Sequence, residues 1–271
     1  MPNFQFWRNW RVKVATGSKV DAHRIKAGGA AFRIGVELGS PHPRELDLKD
    51  LAMYRNVLVR EGEIKGAEGR LLRKGKNGVI HVRRGIVPEG RRRFTIAHEL
   101  GHWELHEEYS QLLCSAEDMR DYGHSPLEIE ANCFAAELLM PNSHFRSACG
   151  SHEPSMALIE SLASDFQTTL TSTAIRFADV SKRKVVVVYY QNGFIRWSYS
   201  DPRKKLLFVV PGKPLPAFSS ATLEPDEVGN RMEHYDDADW FPQVTWEKPD
   251  VLEETKRMSG LNGGLTLLWF P

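Results

Sequence analysis

His98-Glu99-Leu100-Gly101-His102 sets two imidazoles four residues apart with a carboxylate between them. On a helix, positions i and i+4 share a face about one turn apart, so both rings can hold a single metal ion. Glu99 is not a ligand in that arrangement. It is placed to take a proton from a water activated at the metal, the general-base role in metal-assisted peptide hydrolysis. The flanking residues favour the helix: Ile96, Ala97, Leu100 and Trp103 form an apolar stripe beside the histidines, and no proline interrupts it. Gly101 costs about 1 kcal/mol of helix propensity relative to alanine, so its position predicts close packing or a close approach between the histidines.

Catalytic zinc keeps three protein ligands and one open position, so a third ligand is required. An extended metzincin site is excluded, because Leu105 and Glu108 stand where it needs glycine and histidine. A second helix offers two carboxylates. Ser125-Pro126-Leu127-Glu128 has an N-cap serine, a proline at the first helical position and a glutamate at the capping-box position; the run continues to Met140 and stops at Pro141. Glu128 stands four before Asn132, on one face, so the pair can place a carboxylate on the metal and an amide oxygen on the outer N–H of a ligating histidine. Glu130 points about 160° away from Asn132 around the helix, which favours Glu128. The competing use of Glu128 is to complete the capping box, and one carboxylate cannot fill both roles in full. His106, one turn beyond His102, would crowd the open position as a ligand. It reads as a second-layer or substrate contact, with a satisfied structural histidine as the plainer alternative. Tyr109 and His124 are candidates for stabilising an oxyanion, with nothing in the sequence to single them out.

The elements that position these residues read as α+β. Asp47 is an N-cap for Leu48–Tyr54, with Asp50 at the capping-box position. Two β-like runs, Val57–Val59 and Val79–Val82, flank a glycine-punctuated turn region carrying Gly66, Gly69, Gly75 and Asn77-Gly78. That small sheet leads into the metal helix through Pro88–Arg93. Upstream, residues 1–46 form an N-terminal extension: a basic, aromatic-rich segment without clear period, then a short amphipathic helix over Ala30–Leu38. Residues 107–124 read as a polar link. Residues 154–180 predict a helical hairpin, Met156–Phe166 and Ser172–Ala178. It has a helix-turn-helix outline, but a net charge of −2 disfavours phosphate binding. Beyond Lys184 the chain turns β-rich: Val185–Tyr190 and Phe194–Tyr199 joined through Asn192-Gly193, a further strand Leu206–Val210, and a last strand Leu265–Phe270. The expected organisation is therefore 1–46, a peptidase domain over 47–180 that includes the hairpin, and a β-rich domain over 184–271.

Composition bounds the function. The 271 residues carry a formal net charge of +1, which selects no particular partner. It conceals an asymmetry: Arg55–Arg93 has a net charge of +8 and Glu224–Glu254 a net of −9. Each reads as a solvated face or loop, or as a docking surface for the opposite charge. No run of apolar residues is long enough to span a membrane, and Met1–Arg8 has no signal-peptide core. Three cysteines (Cys114, Cys133, Cys149) without paired spacing argue against a disulfide framework, so a cytoplasmic protein is expected.

Arg93–His102 followed by Glu128–Pro141 resembles the ImmA/IrrE family of zinc metallopeptidases, the similarity extending from about Asp47 to Ala178. The resemblance implies a gluzincin-like core with zinc on His98, His102 and Glu128, and with Glu99 as general base. It implies a narrow substrate class, a helix-turn-helix repressor often encoded beside the peptidase, whose cleavage switches on phage, mobile-element or stress-response genes. Some members carry a C-terminal sensor-like domain, a role open to the region from Lys184. Manganese or cobalt could replace zinc in such a ligand set. The competing reading is a regulator that keeps the peptidase fold and binds its partner without cutting; the intact ligand set argues against it. Neither reading expects specific binding to duplex DNA or a membrane partner.

Overall fold

The computed structural model describes residues 18–114, 125–204, 206, 208–217, 219–222, 233–234, 240–242, 250–258 and 262–271. It is a mixed α+β structure with two sheets, and it divides into two compact units, Met1–Pro141 and Asn142–Pro271.

In the first unit, α1 (Ser18–Glu37) is followed by α2 (Leu48–Tyr54), β1 (Val57–Gly62), β2 (Gly69–Lys74), β3 (Asn77–Arg83), α3 (Glu89–Leu105), β4 (Gln111–Cys114) and α4 (Pro126–Leu139). The Asp47 carboxylate caps α2 by accepting from the backbone N–H of Lys49 at 2.7 Å and of Asp50 at 3.2 Å, as the capping pattern predicts. The sheet runs β1-β3-β2-β4, with β1 and β3 parallel and β2 antiparallel to both of its neighbours. Its inner face, with Val57, Leu71, Ile80 and Val82 buried, lies under α3; α4 packs on α3, and α1 on α4.

Three sequence expectations need correction here. The turn region between the first two β-like runs contains a strand of its own, β2, and its hairpin turn is Gly75-Lys76 rather than Asn77-Gly78. Gly78 instead opens β3 against the Trp103 ring, where a Cβ would come within 2.7 Å of the indole. The supposed polar link contains β4, which pairs with β2. The helix expected over Ala30–Leu38 begins twelve residues earlier, at Ser18. It buries Ala27, Ala30, Ala31 and Ile34 along one stripe, and the three alanines admit α4 closely.

The second unit begins with α5 (Asn142–Cys149), α6 (Met156–Phe166) and α7 (Leu170–Val180), followed by a five-stranded sheet ordered β6-β5-β9-β8-β7. Its strands are β5 (Lys184–Gln191), β6 (Phe194–Ser200), β7 (Glu233–His234), β8 (Leu252–Met258) and β9 (Gly263–Phe270). Asn192 and Gly193 both have positive φ, 54° and 73°, the backbone that a two-residue hairpin between twisted strands requires. Strand β5, inside the sheet between β6 and β9, is buried on both faces. Val186 and Val188 join Ile195, Val209, Trp240, Phe241 and Leu268 in one core, while α7 packs on β5 and β6, and α6 on β8. Leu206 and Phe208–Val210 are not a strand; they run alongside β6, where the Ser198 hydroxyl donates to the Val209 carbonyl at 2.7 Å. Strand β8 lies at the end of the acidic stretch, most of which falls outside the described residues.

Candidate metal centre

Helix α3 carries His98, Glu99 and His102, all fully buried. Helix α4 supplies the facing residues, and the two helices cross tightly at Gly101. A Cβ there would lie 3.1 Å from the Ala131 Cα and 3.2 Å from the Phe134 Cβ, which accounts for glycine between the histidines. Ser125 caps α4 by accepting from the Leu127 N–H at 3.3 Å. The Glu128 carboxylate turns towards α3 instead, with its oxygens 3.0 Å from His98 Nε2 and 3.4 Å from His102 Nε2. The competition between cap and ligand is thus divided between Ser125 and Glu128.

The two Nε2 atoms are 3.1 Å apart, and the donor atoms of His98, His102 and Glu128 all lie within 4.8 Å of one another. Among the described residues, this is the group of His, Cys, Asp and Glu that could hold a metal. Nitrogens bound to zinc at about 2.0–2.1 Å with tetrahedral angles stand roughly 3.3 Å apart, so the donor spacing suits that ion. The outer nitrogens are held as well. His98 Nδ1 donates to Asn132 Oδ1 at 2.9 Å, and His102 Nδ1 lies 2.8 Å from His106 Nδ1. Asn132 and His106 therefore both stand directly behind the ligand candidates.

Electrostatics favour a metal-ready state at His102. Burial drives its imidazole down to about 4, against the upward pull of Glu128, leaving it neutral at pH 7 as a metal ligand must be. Burial opposes the His98 cation too, but its hydrogen bond with Glu128 and the charges of Glu99 and Glu128 outweigh that, and the balance is upward. For Glu128, burial works to raise the carboxyl; its bonds with His102 and His98 prevail and hold it below the usual carboxylate range.

Glu99 projects towards the start of β2. A Cβ on Gly69 would fall 2.1 Å from Glu99 Oε1, so glycine at that strand position is what leaves room for the carboxylate. Tyr109 lies edge-on to His106 with ring centroids 6.5 Å apart, and His124 is outside the described residues.

Residues 52–178 match the model of the peptidase M78 family, described as an IrrE N-terminal-like domain. The chain carries a domain of this family. The M78 match runs across the division at Pro141 and takes in α6 and most of α7. A solved structure described as a Mycobacterium tuberculosis transcriptional regulator is similar at 16% identity, with a TM-score of 0.60, covering 93% of this chain and 78% of that one. No curated protein matches at a significant level. Among the described residues, no helix is long and apolar enough to cross a membrane.

Sequence reasoning passed over Gly69, His23 and Lys26 around this candidate centre and preferred Glu128 to Glu130. Gly69 sat in a segment read as a turn, and Glu130 was set aside because it points away from Asn132. It does so to meet His106, with its Oε2 3.1 Å from His106 Nε2.

Proposed function

We propose that this chain is a zinc endopeptidase of narrow specificity that cleaves a helix-turn-helix transcriptional repressor in the cytoplasm and thereby induces phage, mobile-element or stress-response genes. The observation that carries the reading is the convergence of His98, His102 and Glu128 from two helices beside a buried Glu99. Membership of a peptidase family supports the reaction class. A gluzincin-like assignment is supported by the donor set, two helical histidines and a glutamate from the next helix. The likeness to a protein described as a transcriptional regulator supports a regulatory setting.

In this reading His98, His102 and Glu128 hold the zinc, with manganese or cobalt as possible substitutes in the same donor set. Bound there, zinc supplies a Lewis acid that polarises the scissile carbonyl and lowers the pKa of a water. Glu99 takes the proton of the attacking water and passes it to the leaving amine. Asn132 fixes the His98 ring through its outer N–H, and His106 does so for His102. The functional domain is taken as 47–180, supported by the extent of the family match, with 184–271 as a β-rich, sensor-like domain and 1–46 as an extension. Direct specific binding to duplex DNA is not part of this function, since α6 and α7 present a net charge of −2.

The test is the zinc content of the purified full chain beside Glu128→Ala and Glu99→Gln variants, each then mixed with any helix-turn-helix repressor found encoded beside its gene. About one zinc per chain is expected, markedly weakened in Glu128→Ala. Glu99→Gln is expected to keep its zinc and lose repressor cleavage by on the order of 10²–10⁴-fold. Full activity in Glu99→Gln removes the assignment of the base. Zinc bound normally without any cleavage by the unsubstituted chain shifts the reading to a regulator that binds without cutting.

A further inference from the structure

The two candidate ligand histidines are held in different ways. His98 meets a side-chain amide, that of Asn132. His102 begins a series: its Nδ1 is 2.8 Å from His106 Nδ1, His106 Nε2 is 3.1 Å from Glu130 Oε2, and Glu130 in turn meets Lys26 Nζ at 2.9 Å and His23 Nδ1. His23 and Lys26 belong to α1, more than a hundred residues away in sequence. His102, His106 and Glu130 are all buried, while His23 and Lys26 lie at the edge of solvent.

The proton positions along this series follow from one condition. Resting on the zinc reading, His102 must present an unprotonated Nε2 to the metal, so its single proton sits on Nδ1 and is donated to His106 Nδ1. His106 Nδ1 is then an acceptor, and its own proton sits on Nε2 and is donated to Glu130. Glu130 accepts from His106, Lys26 and His23, which a carboxylate can do with its several lone pairs. Reversing any link would leave two donors or two acceptors facing each other in a buried site. The tautomer and ring plane of His102 are therefore fixed from a helix that contributes no ligand of its own.

We propose that Glu130 is a positioning residue for the metal centre and that α1, through His23 and Lys26, holds it in place. The N-terminal helix is accordingly a working part of the site, and zinc affinity depends on residues that never touch the ion. Carboxylate–histidine–metal series of this kind make the imidazole a better donor and orient its ring, and losing an outer member weakens metal binding by roughly 10–100-fold.

The experiment is a zinc competition titration of the full chain against a chelator of known affinity. It compares the unsubstituted protein with Glu130→Ala, His106→Ala, the Glu130→Ala/His106→Ala pair and the His23→Ala/Lys26→Ala pair. Glu130→Ala is expected to lose about 10–100-fold in zinc affinity. Adding it to His106→Ala should cost little more, because both substitutions cut one series, whereas independent effects would add. Asn132→Ala, on the other histidine, should add fully to Glu130→Ala. Unchanged zinc affinity in Glu130→Ala, or full additivity with His106→Ala, overturns the proposal. If Glu130→Ala does not fold, the partly exposed His23→Ala/Lys26→Ala pair decides, and a folded pair with unaltered affinity overturns the role of α1. Failure of the unsubstituted chain to bind zinc overturns the metal reading itself, a result distinct from equal binding by all variants.

Discussion

Both units bury carboxylates, and they use them for opposite purposes. In the first unit the buried or half-buried Glu128 and Glu130 each face histidine nitrogens. In the second, Glu253 on β8 is 1% exposed and meets neutral donors: the Ser219 hydroxyl at 2.6 Å, the Ser220 hydroxyl at 2.7 Å and the Trp240 indole N–H at 2.7 Å. Its neighbour Glu254 points to the other face of the strand and accepts from the Met156 N–H at 2.8 Å, at the start of α6. Residue type is the same in the two units, and Glu130 is as deeply buried as Glu253 and Glu254. What separates the candidate metal centre from architecture is the partner: imidazoles that can release a lone pair to a metal, as against hydroxyls, an indole and a helix N-terminus that here donate to the carboxylates.

The comparison can be broken most severely at Gly69. An alanine there must displace Glu99 Oε1 from a position 2.1 Å away, and the nearest atoms its Cβ meets all belong to Glu99. The expected outcome is a loss of cleavage of about 10²-fold, the scale set by misplacing a catalytic group by about an ångström, with zinc affinity retained. Measuring zinc content and repressor cleavage on one preparation checks both halves. Loss of both together would mean that β2 supports the whole centre rather than the base alone.

How much of this was legible beforehand follows from how each residue announces itself. His98, Glu99 and His102 share helical spacing on α3, as Glu128 and Asn132 do on α4, and helical spacing is visible in one dimension. The Asn192-Gly193 hairpin was equally legible, because its backbone geometry demands those residue types. Strands β2 and β8 were hidden for the same reason as each other. Gly-Arg-Leu-Leu-Arg-Lys and Leu-Glu-Glu-Thr-Lys-Arg-Met dilute the apolar alternation with charge, and Glu253 and Glu254 of β8 are buried by partners distant in sequence. Glycine misled in a specific way. Gly69 and Gly78 read as turn residues, yet they are strand residues whose missing Cβ makes room for Glu99 and Trp103. The contact between α1 and Glu130 had no local signal at all, since it joins residues 104 and 107 positions apart.

The second unit supplies the next test. Glu253→Ala removes the acceptor shared by Ser219, Ser220 and Trp240 and leaves buried donors without a partner. Each such group costs about 1–3 kcal/mol, so a loss of about 2–3 kcal/mol in unfolding free energy is expected once the hydroxyls re-aim. A denaturant titration measures it, and zinc affinity of the folded variant should stay the same. A variant of full stability would show that Glu253 is not part of the architecture, and the contrast with Glu128 would fail.

The smallest effect is expected at Glu254, and its sign is informative. Burial raises the Glu254 carboxyl above the ordinary value, only partly offset by the Met156 N–H, whereas Glu128 is held below it. A group with a raised folded pKa binds more protons in the folded state, so stability falls as pH rises from the ordinary carboxylate value through the raised one. Glu254→Gln keeps an acceptor for Met156 and removes the charge. Its stability relative to the unsubstituted chain should therefore climb as pH is raised across that window and level off above it. Denaturant midpoints taken at several pH values between about 4 and 8 follow the difference. A difference that falls with rising pH would mean that the Met156 N–H favours the charged carboxylate more than burial opposes it, which would place Glu254 with Glu128 rather than against it.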